Sequence, residues 1–200
     1  MMDEQISGDQ ALERLRRGNE RFVGGQALHP QQSRERREEV AHGQQPFAVI
    51  LACSDSRVAP EIVFDQGLGD LFVIRTAGNV VDDIALGSIE YAVHLLQVPL
   101  LLVLGHQRCG AVTAAVEGGG ADLPGQIGTL LRLVEPAVRA TSGGTPDEHI
   151  ANAVAANARL VAQGLVARSA LIRQAHEERG LKVVAAVYSL DTGEVRFLEG

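Results

Sequence analysis

Apolar residues follow two different rhythms along this chain. Between Asp9 and Gly24, the residues Ala11, Leu12, Leu15, Phe22 and Val23 recur at helical spacing with charged residues between them, which predicts an amphipathic helix. Ser33 is placed to cap a second, strongly charged helix through Ala41, and Gly43 ends it. From Phe47 onward the pattern changes. Residues 47–52, 71–74, 100–104 and 183–188 are continuous apolar runs of strand length, as expected for strands buried on both faces. Helical patterns fall between them, over 83–96, 111–117, 127–140 and one long stretch from about 147 to 179. After an Asp191-Thr192-Gly193 turn, residues 194–198 alternate and predict an edge strand. Segments 118–120 and 141–145 read as loops. Strands alternating with helices predict an α/β fold: a mostly parallel central sheet of four to five strands flanked by helices, with an N-terminal helical arm. The expected organisation is one domain over 1–200, with the arm over 1–43 and the α/β core over 44–200. The arm has few apolar residues and is expected to lie against something else, a second subunit being one option.

Composition narrows this picture. The chain has 200 residues, long enough for one well-buried core. A net charge of −7 argues against non-specific nucleic-acid binding, which needs a basic face. No apolar run approaches the roughly 18 residues of a membrane span, and the first residues show no basic segment followed by an apolar one. The two cysteines make no disulfide framework. The expectation is a cytoplasmic protein, with no membrane or nucleic-acid partner, whose thiols stay reduced.

Both cysteines sit in polar, motif-like surroundings. Cys53 opens Cys53-Ser54-Asp55-Ser56-Arg57, and Cys109 closes His106-Gln107-Arg108-Cys109. The two segments follow the first and third predicted strands, and in open α/β sheets ligands bind outside the carboxyl ends of strands. His106 and Cys109, three apart at a helix start, are expected to share a helical face. Cys53 and Asp55, two apart in an extended segment, are expected to point to one side. Two thiolates, an imidazole and a carboxylate suffice for a tetrahedral zinc site. With Asp55 as fourth ligand such a site is closed, whereas a catalytic zinc keeps one position open for water. Arg57 competes for Asp55, because its guanidinium fork matches a carboxylate. The pair therefore reads as a gate. The residues alone leave two other readings open: two cysteines acting as small core hydrophobes, or a cysteine nucleophile with a histidine base.

Cys53-Ser-Asp-Ser-Arg57 together with Gly105-His-x-x-Cys-Gly-Ala111 resembles the β-class carbonic anhydrases, and the similarity extends through Arg75-Thr-Ala-Gly-Asn79 and Ile89-Glu-Tyr-Ala92. The resemblance implies one Zn²⁺ per chain held by Cys53, His106 and Cys109, with Asp55 joining as fourth ligand in a closed state. It implies reversible hydration of CO₂ to bicarbonate and a proton by zinc-bound hydroxide, gated by the dyad of Asp55 and Arg57. Activity is then expected to fall as pH drops towards neutral and Asp55 takes the open position. Gln44, Phe72, Ala77, Tyr91 and Gly110 match substrate-pocket positions, Tyr91 being contributed from an adjacent subunit, so a homodimer or homotetramer is implied. Arg75 and Tyr188 match two of three residues of a regulatory bicarbonate site. The third, a tryptophan in the family, is Ile50 here, and the chain has no tryptophan. His29, His42, His94, His149 and His176 are scattered, and none is identified as a proton shuttle. Two functional alternatives accompany this reading: a CS₂ or COS hydrolase of the same fold, and a non-catalytic zinc-bearing module that senses bicarbonate.

Overall fold

The computed structural model describes residues 6–118 and 123–198. Five strands form one sheet: β1 (Ala48–Cys53), β2 (Leu71–Thr76), β3 (Leu100–His106), β4 (Lys182–Tyr188) and β5 (Val195–Leu198). Their order is β2-β1-β3-β4-β5, all parallel except β5, which runs antiparallel along β4. The predicted α/β architecture is the one observed. Every residue of β1 and β3 is buried, which is why these strands read as unbroken apolar runs.

The chain leaves β1 to build β2 on one side and returns to build β3 on the other. The carboxyl ends of β1 and β3 therefore flank a topological switch point, the place where such sheets open a crevice. One face of the sheet packs against α4 (Asp83–His94), α7 (Pro146–Arg168) and α8 (Ala170–Glu178) through Ile89, Val93, Ala158, Leu165 and Ile172. The other face packs against α1 (Gly8–Val23) and α3 (Pro60–Val63) through Leu12, Leu15, Val63 and Phe64. A third cluster at the switch point joins Cys53 and Cys109 to α5 (Gly110–Val116), α6 (Ile127–Arg139) and α7.

Several expectations need correction. The first helix of the arm lies on the chain's own sheet: Ala11 and Leu15 are fully buried there. Asn19 ties it down, donating to the carbonyls of Val63 and Gly193 and accepting from Val195 N. The second helix of the arm, α2 (Arg34–Val40), has no buried residue. The long helical stretch is two helices, because Ser169 takes an extended conformation, caps Ile172 N and donates to Glu90. The short α3, started by Pro60, lies in a segment with no helical period to announce it. By length and composition α7 matches a membrane span, yet it packs along β3 and β4 with Ala153, Val154, Ala158 and Leu165 buried, as a core helix does. Of the two predicted loops, 141–145 is observed, while 119–120 lies outside the described residues.

Candidate metal centre

Cys53 is the last residue of β1 and His106 the last of β3; Cys109 is the residue before α5. The expected shared helical face of His106 and Cys109 is not the observed geometry. The strand runs through His106, and a two-residue turn with Arg108 at φ +53° brings Cys109 back beside it. The ligand atoms of Cys53, His106 and Cys109 all lie within 4.8 Å of one another, and all three residues are buried.

The donor set fits a tetrahedral ion. The two Sγ atoms are 3.9 Å apart; sulfurs bonded to zinc at about 2.3 Å in tetrahedral geometry stand about 3.8 Å apart. His106 Nδ1 faces the Gln107 carbonyl at 3.0 Å, and since a carbonyl only accepts, Nδ1 carries the proton and Nε2 keeps its lone pair. That Nε2 is buried with no hydrogen-bond partner. A buried imidazole nitrogen without a partner is costly unless something occupies its lone pair.

The thiols are unequal. The hydrogen bond from Cys109 draws the Cys53 thiol well below its ordinary pKa, against the cost of burial and helped by the N–H groups of Gly78 and Asp55. The same bond and burial push Cys109 up. Gly78 N donates to Cys53 Sγ at 3.2 Å, and Asn157 Nδ2 holds the Gly78 carbonyl at 2.9 Å. Gly78 takes φ +69° in a tight turn after β2, a conformation that favours glycine.

Asp55 stands beside the cluster but outside it, with Oδ2 3.8 Å from His106 Nε2. Arg57 holds its carboxylate with three bonds: backbone N and Nε to Oδ1 at 2.9 Å each, and Nη2 to Oδ2 at 2.8 Å. These bonds keep the Asp55 carboxyl far below the usual carboxylate range. Arg75 grips the same turn from below, with Nε on the Cys53 carbonyl at 3.1 Å and Nη2 on the Asp55 carbonyl at 2.6 Å. Tyr188 ends β4 opposite His106 and is buried on the face that also holds Ile50.

The other sequence-derived positions are more dispersed. Phe72 is half-buried and stacks on Tyr91 of α4, with ring centroids 6.1 Å apart; Tyr91 is exposed. Ala77 precedes Gly78 in the turn against Cys53. Gly110 is exposed at the start of α5, and Gln44 is exposed in the segment before β1. Sequence reasoning missed the support given to Cys53 by Gly78 and Asn157. The Gly in Thr76-Ala-Gly-Asn79 was its one visible trace, whereas nothing local marks Asn157.

Comparison with known proteins points one way. A family model described as carbonic anhydrase matches residues 48–195. The chain is 46% identical over 192 residues to carbonic anhydrase 2 of Mycobacterium tuberculosis, covering 92% of this chain and 89% of that one. It is 35% identical over 173 residues to the carbonic anhydrase of Pseudomonas aeruginosa, covering 80% and 77%. Among solved structures, the β-carbonic anhydrase CafA of Aspergillus fumigatus superposes with a TM-score of 0.74 at 27% identity, covering 96% of this chain and 90% of that one. With the strand-end Cys-His-Cys cluster in place, the matches lead to one conclusion: this chain belongs to the β-class carbonic anhydrases.

Proposed function

We propose that the protein interconverts CO₂ and bicarbonate at a zinc ion held by Cys53 Sγ, His106 Nε2 and Cys109 Sγ, with Asp55 and Arg57 as the gate. The observation that carries this reading is the buried, partnerless His106 Nε2 facing two thiols at zinc spacing, while Asp55 is held aside by Arg57. Zinc so held supplies a Lewis acid that makes water a nucleophile near neutral pH. Asp55 Oδ2 faces the same space, where it would accept a hydrogen bond from a water held there. Arg57 keeps the carboxylate charged and turned away from the cluster, which would leave room there for water. Released from Arg57, Asp55 has only a short swing to the cluster, which closes the site.

Ala77 lines the substrate space beside the centre, Phe72 and Tyr91, stacked on each other, supply an apolar wall across a subunit interface, Gly110 N–H is the backbone donor, and Gln44 binds a substrate oxygen. Tyr91 belongs to an exposed stripe on α4 with Ile84 and Leu95. A homodimer or homotetramer that covers this stripe with a second copy brings the tyrosine to the neighbouring site. An anion at Arg75 and Tyr188 would act by drawing Arg75 off the Cys53 and Asp55 carbonyls, loosening the turn that carries the gate. Reduced thiols at the centre fit a cytoplasmic setting.

Stopped-flow CO₂ hydration by zinc-loaded protein, from mildly acidic to alkaline pH and with a chelated control, tests the reading. Zinc-dependent turnover that rises with pH supports it. Substitution Arg57→Ala should then abolish turnover while leaving one zinc per chain. A zinc-replete wild type without CO₂ turnover at alkaline pH would refute it in favour of a CS₂ or COS substrate or a non-catalytic module.

A further inference from the structure

Only two residues separate His106 from Cys109, and one of them is unsuited to the turn they make. Arg108 is held at φ +53°, where a β-carbon is unfavourable and glycine or asparagine is the usual choice. The turn therefore depends on contacts from outside. They come from the β4–β5 connection, more than 80 residues away in sequence. Asp191 Oδ2 accepts from Gln107 Nε2 at 2.8 Å and from Arg108 Nη1 at 2.9 Å, and its Oδ1 accepts from Arg108 Nη2 at 2.6 Å. Gln107 Oε1 in turn accepts from Leu190 N at 3.1 Å and Ser189 Oγ at 3.3 Å, and Gln107 N donates to the Tyr188 carbonyl at 2.9 Å. One carboxylate thus grips both residues between the two ligands. The peptide it grips carries the Gln107 carbonyl, which sets the tautomer of His106.

We propose that Asp191 is a positioning residue for the metal centre: by clasping Gln107 and Arg108 it holds His106 and Cys109 in ligand geometry. The inference rests on the zinc reading above and extends it to a residue that touches neither metal nor substrate. Partners that orient metal ligands typically change metal affinity by tenfold or more when lost. The clasp faces solvent, with the Arg108 and Asp191 side chains 54% and 57% exposed. Exposed ion pairs add little to global stability, so the effect of losing this one belongs at the metal and not in the melting temperature.

The test measures zinc affinity of the full chain by competition with a chromogenic chelator, together with the visible spectrum of the Co²⁺-loaded protein and its thermal midpoint. Asp191→Ala should raise the zinc Kd on the order of tenfold and alter the Co²⁺ bands, with the melting temperature of the metal-free protein nearly unchanged. Arg108→Ala keeps the Gln107–Asp191 bond and should do less. The double variant should be no worse than Asp191→Ala alone, because both changes remove the same interaction. A wild-type zinc Kd and a wild-type Co²⁺ spectrum in Asp191→Ala would overturn the proposal, as would strict additivity in the double variant. Wild-type protein whose Co²⁺ spectrum shows no thiolate ligation would overturn the zinc reading itself, and the clasp with it. An Asp191 effect on an intact wild-type site separates the two.

Discussion

Asn157→Ala tests how the metal centre is tied to the core. Asn157 is 2% exposed on α7, and its Nδ2 is a donor to the buried Gly78 carbonyl, whose own N–H serves Cys53 Sγ. Truncation leaves that carbonyl without this donor in a dry environment, which costs about 1–3 kcal/mol. Losing the packed amide adds a cavity worth about 1 kcal/mol. The expected loss is therefore about 3 kcal/mol. With a urea m-value of about 2 kcal/mol/M, the unfolding midpoint should fall by about 1.5 M. Asn152→Ala is a matched control: the same residue type on the same helix donates to the Ser142 carbonyl, but at the surface. Its expected cost is within about 0.5 kcal/mol. Both variants are unfolded at one protein concentration, since assembly would otherwise shift the midpoints by mass action. If Asn157→Ala moves the midpoint no more than Asn152→Ala does, the argument from burial is wrong.

Other substitutions probe the arm and the metal. A Cβ at Gly18 would lie 1.8 Å from the Phe64 carbonyl oxygen, whereas one at Gly164 meets nothing within 4 Å. Gly18→Ala should cost about 3 kcal/mol, and Gly164→Ala should be neutral or stabilise by up to about 1 kcal/mol; equal urea midpoints for the two would contradict the packing of α1. At buried Asp65, burial pushes the carboxyl up, but the N–H groups of Leu28 and His29 and the Arg21 guanidinium outweigh it and hold the pKa below its ordinary value. A depressed carboxylate stabilises the fold above its unfolded pKa, and that contribution is lost as pH falls through the folded value. The gap in urea midpoint between wild type and Asp65→Asn should thus be full at pH 7 and shrink below about pH 4; a gap that widens in acid would reverse the assignment. Chelation should lower the melting temperature and added zinc restore it, since a ligand at a thousand times its Kd stabilises by about 4 kcal/mol; a calorimetric scan unchanged by chelator would count against a metal at this cluster.

Much of this protein is legible locally. Strands β1 and β3 announce themselves because burial on both faces removes polar residues from the whole run. The capped start of α2 is visible at Ser33, where a hydroxyl meets an orphan N–H three residues on. The candidate metal ligands stand out because cysteine is rare here and each of the two lies in a distinctive run of residues.

What the sequence by itself determined, then, is the kind of element at each place and the residue types at the centre. Tertiary structure decided who meets whom. Strand order put β1 beside β3, and so Cys53 beside His106 and Cys109. It turned Arg75 onto the ligand turn, brought Asn157 under Gly78, folded α1 onto its own sheet, and set Asp191 against Gln107 and Arg108. The division has a physical cause. Hydrophobic period, caps and turns are fixed by interactions within a few residues, so they leave a local trace. A hydrogen bond between residues 80 apart depends on how strands are ordered and faces are packed, and leaves none in either segment alone.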